Sequence, residues 1–343
     1  MADDVKLTID GNEVTATPGT NVLQAAMDAG LYIPYLCYYP GMKAFGACRM
    51  CVVEFEEGGP PGHQASCTVP GADGMVAKTK PEDTTKLRKG IMELVISEHP
   101  HGCLNCHRVD LCGPADICLR HVSVNDRCVT CPKNERCELK DTVRYMEMEL
   151  DTPLTYNNRH LPLQIQDPMW EMDMNLCIVC VRCVRVCEEV RGDGALAFID
   201  RSGRGLIGTS NGTALLESGC EFCGACIDVC PTGALVERDH KWDKAVKTVT
   251  SICPHCRVGC EMTLEVDKRN RLIRSTARVQ APANRGQVCY KGKFGLEFVN
   301  RRERLRKPLL RVNGSLKESS LVEAVDFVSQ SLEGYKGSQF AVI

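Results

Sequence analysis

Twenty-three cysteines stand in a chain of 343 residues, and their spacing is what could do chemistry here. One group is Cys37-x10-Cys48-x2-Cys51-x15-Cys67, and a second is His99-x3-Cys103-x2-Cys106-x5-Cys112. Cys118 then precedes Cys128-x2-Cys131-x5-Cys137, which repeats the spacing of the trio before it. Two further runs match each other, Cys177-x2-Cys180-x2-Cys183-x3-Cys187 and Cys220-x2-Cys223-x2-Cys226-x3-Cys230. The last group is Cys253-x2-Cys256-x3-Cys260-x28-Cys289. Thiolates are soft ligands that suit iron–sulfur clusters or zinc, and close C-x2-C pairs let one loop wrap a metal centre.

The matched pair carries the most specific signal. A C-x2-C-x2-C-x3-C run that occurs twice is the signature of bacterial two-cluster ferredoxins, in which the fourth cysteine of each run ligates the other cluster. One 4Fe–4S cluster then takes Cys177, Cys180, Cys183 and Cys230, and the other takes Cys187, Cys220, Cys223 and Cys226. The repeated trio at Cys128 reads as a duplication, with Cys118, Cys128, Cys131 and Cys137 as an additional site. A swapped pairing, with Cys118 completing the first trio and His121 the second, stays open at this point. For His99 the nearer but less fitting alternative is His101.

The elements that must hold these groups follow from periodicity and turn chemistry. Val5–Ile9 alternates, Asp10-Gly11-Asn12 turns, and Glu13–Thr17 continues as the second arm of a hairpin. Thr20 is placed to cap a short helix with Val22, Ala25, Ala26 and Ala29 on one face, stopping at Gly30. Cys51–Phe55 and Met75–Thr79 read as strands. From Pro81 a longer helix is expected to end near His99-Pro100, with Leu87, Ile91, Leu94 and Val95 at helical spacing. A strand at Val246–Ser251 leads into the last cysteine group. The tail combines a basic stretch, Arg301 to Lys307, read as a solvated face, with a helix from Ser320 to Leu332 and a strand-like end at Phe340–Ile343. Gly203-x-Gly205-x2-Gly208 satisfies a dinucleotide-binding pattern literally, but it lacks a preceding strand and a following helix. Asn211-x-Thr213 spells a glycosylation site, which has no meaning in a cytoplasmic chain.

Bulk composition narrows the classes. Forty-two Lys+Arg against 44 Asp+Glu leaves no electrostatic footprint for nucleic acid or an anionic membrane. No apolar run approaches the ~20 residues that span a bilayer, so direct membrane insertion is not expected. The start, Met-Ala-Asp-Asp-Val, has no charged-then-apolar leader. An odd number of cysteines in a long chain fits a disulfide framework poorly, and a reducing cytoplasm with metal-bound thiolates is the better account.

Several groups resemble known families. Pro34-Tyr35-Leu36-Cys37 and Gly46-Ala47-Cys48-Arg49-Met50-Cys51 resemble the plant-type 2Fe–2S domain of respiratory complex I and its relatives, which implies a 2Fe–2S cluster on Cys37, Cys48, Cys51 and Cys67. His99 with Cys103, Cys106 and Cys112 resembles the 4Fe–4S site with one histidine ligand that follows that domain in the same superfamily. The Glu138-Leu139 pair is what those relatives show after their single trio. Cys253, Cys256, Cys260 and Cys289 resemble the N-terminal 4Fe–4S domain of molybdopterin oxidoreductases, whose lysine between cluster and pterin is matched by Lys291. In order, the groups look like the N-terminal part of an NAD-linked formate dehydrogenase α subunit, a relative of the large iron–sulfur subunit of complex I.

The fold class this implies is α+β and multidomain. It comprises a β-grasp 2Fe–2S ferredoxin domain (1–80), a one-histidine/three-cysteine 4Fe–4S region with an additional four-cysteine site (81–145), and a connector (146–168). A two-cluster ferredoxin domain (169–240), a molybdopterin-oxidoreductase-type 4Fe–4S domain (246–303) and the start of a molybdopterin domain (304–343) follow. The implied cofactors are one 2Fe–2S and four to five 4Fe–4S clusters, with molybdopterin not bound by this chain alone. The expected role is electron transfer between a flavin/NADH-oxidising subunit and a molybdopterin catalytic subunit or a C-terminal domain absent from this sequence. The expected location is cytoplasmic, free or on the cytoplasmic face of a membrane complex. A complex I-type subunit for NADH oxidation is the alternative. A non-redox zinc scaffold is the reading from another class, strongest for the Cys118 group.

Overall fold

The computed structural model describes residues 4–339 apart from 101, 105, 114, 119–126, 149–153, 155, 201–202 and 210–211. His101, His121, Asn211 and the strand expected at Phe340–Ile343 lie outside the described residues. The chain divides into two units, Met1–Leu296 and Glu297–Ile343.

The first unit opens with β1 (Val5–Ile9) and β2 (Asn12–Ala16), paired antiparallel from Val5–Ala16 to Ile9–Asn12. Asp10 and Gly11 both take positive φ (48° and 81°), the geometry whose twist matches a two-residue hairpin. Helix α1 (Val22–Asp28) is capped by Asn21, whose side-chain oxygen accepts the Gln24 N–H at 2.8 Å. The expected cap, Thr20, pairs its hydroxyl with that of Thr17 at 2.9 Å instead. Strands β3 (Val52–Glu57), β4 (His63–Ala65) and β5 (Val76–Lys78) complete a five-stranded sheet in the order β2-β1-β5-β3-β4, with β1 and β5 parallel. Leu7, Ile9, Val22, Leu23, Val53 and Ala77 are buried between sheet and helix.

Helix α2 (Glu82–Ser97) corrects the sequence reading of its inner face. Leu87 and Leu94 are exposed, and the helix buries Thr84, Arg88, Met92 and Ile96 at four-residue spacing. Arg88 sets that rotation. Its guanidinium donates to the Thr79 carbonyl at 2.7 Å and to the Val52 carbonyl, satisfying oxygens just past the end of β5 and at the start of β3. Short α3 (Glu138–Tyr145) follows the second cysteine trio. Leu36, Met50, Met92, Ile96, Leu139 and Val143 then share one apolar cluster.

The two-run segment contains β6 (Trp170–Met172), α4 (Arg182–Arg185) running into a π-helical turn at Val186–Arg191, β7 (Ala197–Ile199), β8 (Leu206–Gly208), α5 (Ala225–Val229) and β9 (Leu235–Glu237). β6 pairs with β9 and β7 with β8, both antiparallel. The glycine motif ending at Gly208 therefore lies on a hairpin arm, not at the opening of a helix. A three-stranded meander, β10 (Lys247–Ile252), β11 (Glu261–Val266) and β12 (Leu272–Ala277), precedes α6 (Tyr290–Phe294).

In the second unit β13 (Leu309–Val312) and β14 (Ser315–Glu318) form a hairpin. Helix α7 (Leu321–Leu332) starts on a reciprocal cap, with the Ser320 hydroxyl accepting the Glu323 N–H and Glu323 accepting the Ser320 N–H. The basic stretch Arg301 to Lys307 is exposed throughout. Among the described residues no helix is long and apolar enough to cross a membrane.

Candidate iron–sulfur centres

The Cys48–Cys51 loop is shaped by its backbone. Arg49 takes φ 55°, and the Met50 N–H turns inward to Cys48 Sγ at 3.5 Å. Cys37 N–H donates to Cys48 Sγ and Cys48 N–H to Cys37 Sγ, each at 3.4 Å. The hydrogen bond between these two thiols brings Cys48 down to about 6 and drives Cys37 up. Cys51 and Cys67 form a second such pair, Cys51 lowered and Cys67 raised. Cys67 also feels the charges of Cys37 and Cys48, so the four sulfurs expected from sequence meet at one place.

The two ferredoxin runs are conformational copies. Val179 and Phe222 take φ of 53° and 54°, and Val181 and Gly224 take 63° and 72°. Positive φ at a β-branched valine is strained, and such strain persists where the surrounding structure demands it. The reward is the same in both loops: the Val179 N–H reaches Cys177 Sγ, and the Phe222 N–H reaches Cys220 Sγ, each at 3.4 Å. Cys177, Cys180, Cys183 and Cys230, the crossed set expected from spacing, line one cavity. Burial pushes Cys177 up to about 11 and Cys180 up to about 12. Cys226, raised chiefly by burial, is also raised by Cys223, Cys220 and Cys187, which makes the second crossed set.

The last group gathers as well. Cys260 is raised by burial and then by Cys253, Cys256 and Cys289. The Cys253 N–H donates to the Cys260 carbonyl at 2.8 Å, closing the knuckle. Asn284 holds the distant segment in place: it accepts the Glu261 N–H at 3.0 Å and donates to the Glu261 and Gln287 carbonyls. Lys291 is exposed on α6, two residues past Cys289.

Between residues 99 and 137 the arrangement departs from the expected grouping. His99 is buried and lines one cavity with Cys128, Cys131 and Cys137. Cys103 forms a thiol–thiol hydrogen bond with Cys128, which lowers Cys103 to about 6 and drives Cys128 up. Cys137 caps α3, its Sγ accepting the Lys140 N–H at 3.4 Å, while burial pushes its thiol up to about 11. Cys112 is exposed, and Cys106 and Cys118 are partly so.

Comparison with known proteins bears on the whole set. Residues 2–82 match the 2Fe-2S iron-sulfur cluster binding domain family, and residues 246–301 match the molybdopterin oxidoreductase Fe4S4 domain. Residues 167–236 match the ferredoxin-like domain of NADH-quinone oxidoreductase subunit 3. All three matched stretches are thus iron–sulfur or ferredoxin-like domains. An NADH-quinone oxidoreductase subunit of Rhizobium meliloti is 32% identical over 96% of this chain and 35% of its own length. NADPH-Fe(3+) oxidoreductase subunit alpha of Geobacter sulfurreducens is 31% identical over 90% of this chain and 33% of its own. The chain thus spans about a third of the length of these relatives. A solved NAD+-reducing [NiFe]-hydrogenase in its H2-reduced state aligns with a TM-score of 0.54 and 26% identity, over 68% of this chain and 87% of that one.

For this iron–sulfur portion the donor chemistry fits. No three His, Cys, Asp or Glu side chains among the described residues close on a single-ion position. Sixteen of the thiols gather in four groups of four, several with a backbone N–H aimed at sulfur, as suits thiolates bound to iron. Crowded, buried thiols are held protonated by desolvation and by one another, and a cationic metal centre reverses that preference.

Three buried cations were not legible as part of the site. Lys133 donates to the carbonyls of Ile227 (3.0 Å) and Cys230 (2.5 Å), tying the Cys131 loop to the ferredoxin segment. Lys293, four residues past Cys289, pairs with Asp228 at 2.5 Å and Glu237 at 3.4 Å, and Arg136 reaches Glu237 at 2.6 Å. Arg182, inside the first ferredoxin run, lies against the rings of Tyr35 and Tyr39, which flank Cys37. The one available signal was basic residues lodged within or just beyond cysteine spacers.

Proposed function

We propose that the chain conducts single electrons through a series of iron–sulfur clusters within an NAD(P)H-linked, multi-subunit oxidoreductase. The ligand sets are Cys37, Cys48, Cys51 and Cys67 for a 2Fe–2S centre, and 4Fe–4S sets of Cys177, Cys180, Cys183 and Cys230, of Cys187, Cys220, Cys223 and Cys226, and of Cys253, Cys256, Cys260 and Cys289. Two more 4Fe–4S centres fall between His99 and Cys137, giving six in all, and the domain limits set out from the sequence belong to the same reading.

The observation that carries the proposal is an unbroken order of contacts. Cys48 and Cys128 pack against one apolar cluster that also holds Cys137. A Cβ added at Gly233 would lie 2.4 Å from Cys131 Sγ, so the Cys131 loop abuts the ferredoxin segment directly. Cys226 raises the neighbouring Cys183, which joins the two ferredoxin sets. Lys293 then bridges α5 and β9 to α6, beside the last set. When bound, each cluster takes up and releases one electron at a time. The residues hold the centres in sequence and keep water from the buried ones.

The names of the relatives support a partner that oxidises NADH or NADPH, and a flavin subunit at the 2Fe–2S end would split that two-electron oxidation. At the other end, exposed Lys291 beside Cys289 favours a second reading, delivery to a molybdopterin unit of formate dehydrogenase type, with the pterin held by another polypeptide or domain. The complex is placed in the cytoplasm, free or against its membrane. The test is an anaerobic reduction assay on the full chain. Dithionite should reduce it directly, and NADH or formate only when the flavin or molybdenum partner is added. Rapid reduction of the isolated chain by either substrate contradicts this division of labour.

A further inference from the structure

Two trios of identical spacing follow His99, so spacing cannot choose which of them the histidine joins. The fold does choose. One cavity is lined by His99 together with Cys128, Cys131 and Cys137. His99 is only 6% exposed, and its Nδ1 lies 3.0 Å from the Pro100 carbonyl. With Nδ1 donating to that carbonyl, Nε2 is the ring nitrogen that would ligate a metal. Cys137 is 7% exposed at the start of α3, and Cys131 presses on Gly233.

The first trio has a different setting. Cys112 is exposed, and the flanking Leu111 and Ile117 are 79% and 80% exposed. Asp116 folds this loop back on itself: its carboxylate accepts the Gly113 N–H at 2.6 Å, and its carbonyl accepts from Arg127 at 2.6 Å. That turn lies between Cys112 and Cys118 in one continuous loop with Cys103 and Cys106, and Cys103 meets the second trio at Cys128.

We infer that His99 completes a 4Fe–4S site with Cys128, Cys131 and Cys137, and that Cys103, Cys106, Cys112 and Cys118 hold an additional 4Fe–4S cluster beside it at the surface. The inference rests on the iron–sulfur reading above and replaces the pairing of His99 with the nearer trio. The buried histidine site then lies between the 2Fe–2S domain and the ferredoxin pair, and the insertion adds an outer station next to it.

The experiment uses the full chain, with isotopically labelled histidine, reconstituted anaerobically, reduced and examined by pulsed EPR for histidine-nitrogen coupling. Iron and sulfide in the parent chain come first, because their absence defeats the general reading and leaves the pairing aside. Cys131→Ala should abolish the coupling with a loss of about 4 irons. Cys112→Ala should lose about as much iron yet keep the coupling in full. Loss of coupling in Cys112→Ala, or its persistence in Cys131→Ala, overturns the pairing. Loss of one zinc in place of iron from Cys112→Ala overturns the additional cluster. Should Cys131→Ala also shed the ferredoxin signals through misfolding, Cys112→Ala decides alone, since its residue is exposed.

Discussion

Arg182 Nη1 donates to both carboxylate oxygens of Glu138, each at 2.9 Å, from a side chain with no solvent exposure. Glu138 directly follows Cys137, and Arg182 stands between Cys180 and Cys183. The pair therefore couples two cluster loops, and the stacked Tyr35 and Tyr39 bring in the third, around Cys37. Nε and Nη2 of Arg182 have no hydrogen-bond partner among the described residues, so the guanidinium depends heavily on this one carboxylate.

Removing the two partners should have unequal effects. Glu138→Gln strands a fully buried cation and should cost about 3–5 kcal/mol. Arg182→Met leaves a carboxylate that is 38% exposed and can hydrate, so its cost should be smaller, about 1–2 kcal/mol. Chemical denaturation of the reconstituted chain measures both. Arg182→Met should also lower the potential of the Cys177 cluster, because the reduced state loses a nearby positive charge. Equal destabilisation by the two variants would mean that the pair is solvated in solution.

Glu237 links the ion network to pH. Burial alone would raise its carboxyl, but Lys293 and then Arg136 outweigh burial and hold it well below the usual range. A folded value below the unfolded one means stability that is fully present above about 4.5 and declines as pH falls toward the folded value. Glu237→Gln should cost about 3 kcal/mol or more at pH 7, since Lys293 then keeps Asp228 as its one carboxylate and Arg136 loses its own. That deficit should narrow by about 1.4 kcal/mol per pH unit below about 4.5. Urea unfolding of wild type and variant at matched pH values checks it, and a deficit constant down to the lowest pH contradicts the assignment.

Gly224 and Val181 occupy equivalent left-handed positions, yet only one of them tolerates a side chain. A Cβ at Gly224 would lie 2.6 Å from Lys293 Cγ, and that lysine is pinned by Asp228 and Glu237. Gly224→Ala should therefore destabilise by about 2 kcal/mol or more, through strain and overpacking together, and loosen the last 4Fe–4S domain. Val181→Gly relieves the positive φ and should cost less than the loss of a buried valine normally does. Thermal melts and iron retention distinguish the two. A harmless Gly224→Ala would show that Lys293 can give way.

What the sequence made legible was local chemistry with fixed spacing. The two matched runs pointed to thiols that line one cavity, and the opening hairpin followed from alternation around Asp10-Gly11. Arrangements decided by packing at a distance did not. The inner face of α2 turned on Arg88 meeting the Val52 and Thr79 carbonyls at strand ends, where helical periodicity of Leu87 and Leu94 pointed the other way. The cap of α1 moved by one residue because Thr17 engaged Thr20. The partner of His99 was hidden because two trios share a spacing and only their burial tells them apart. Arg182 and Lys293 were not singled out by spacing, because their carboxylate partners Glu138 and Asp228 lie far away in sequence.

The count of iron and sulfide tests the account most directly. The full chain, reconstituted anaerobically, should hold about 22 irons with matching sulfide, as one 2Fe–2S and five 4Fe–4S centres, and Mössbauer spectra should resolve both types. Stoichiometric zinc with little sulfide would contradict it.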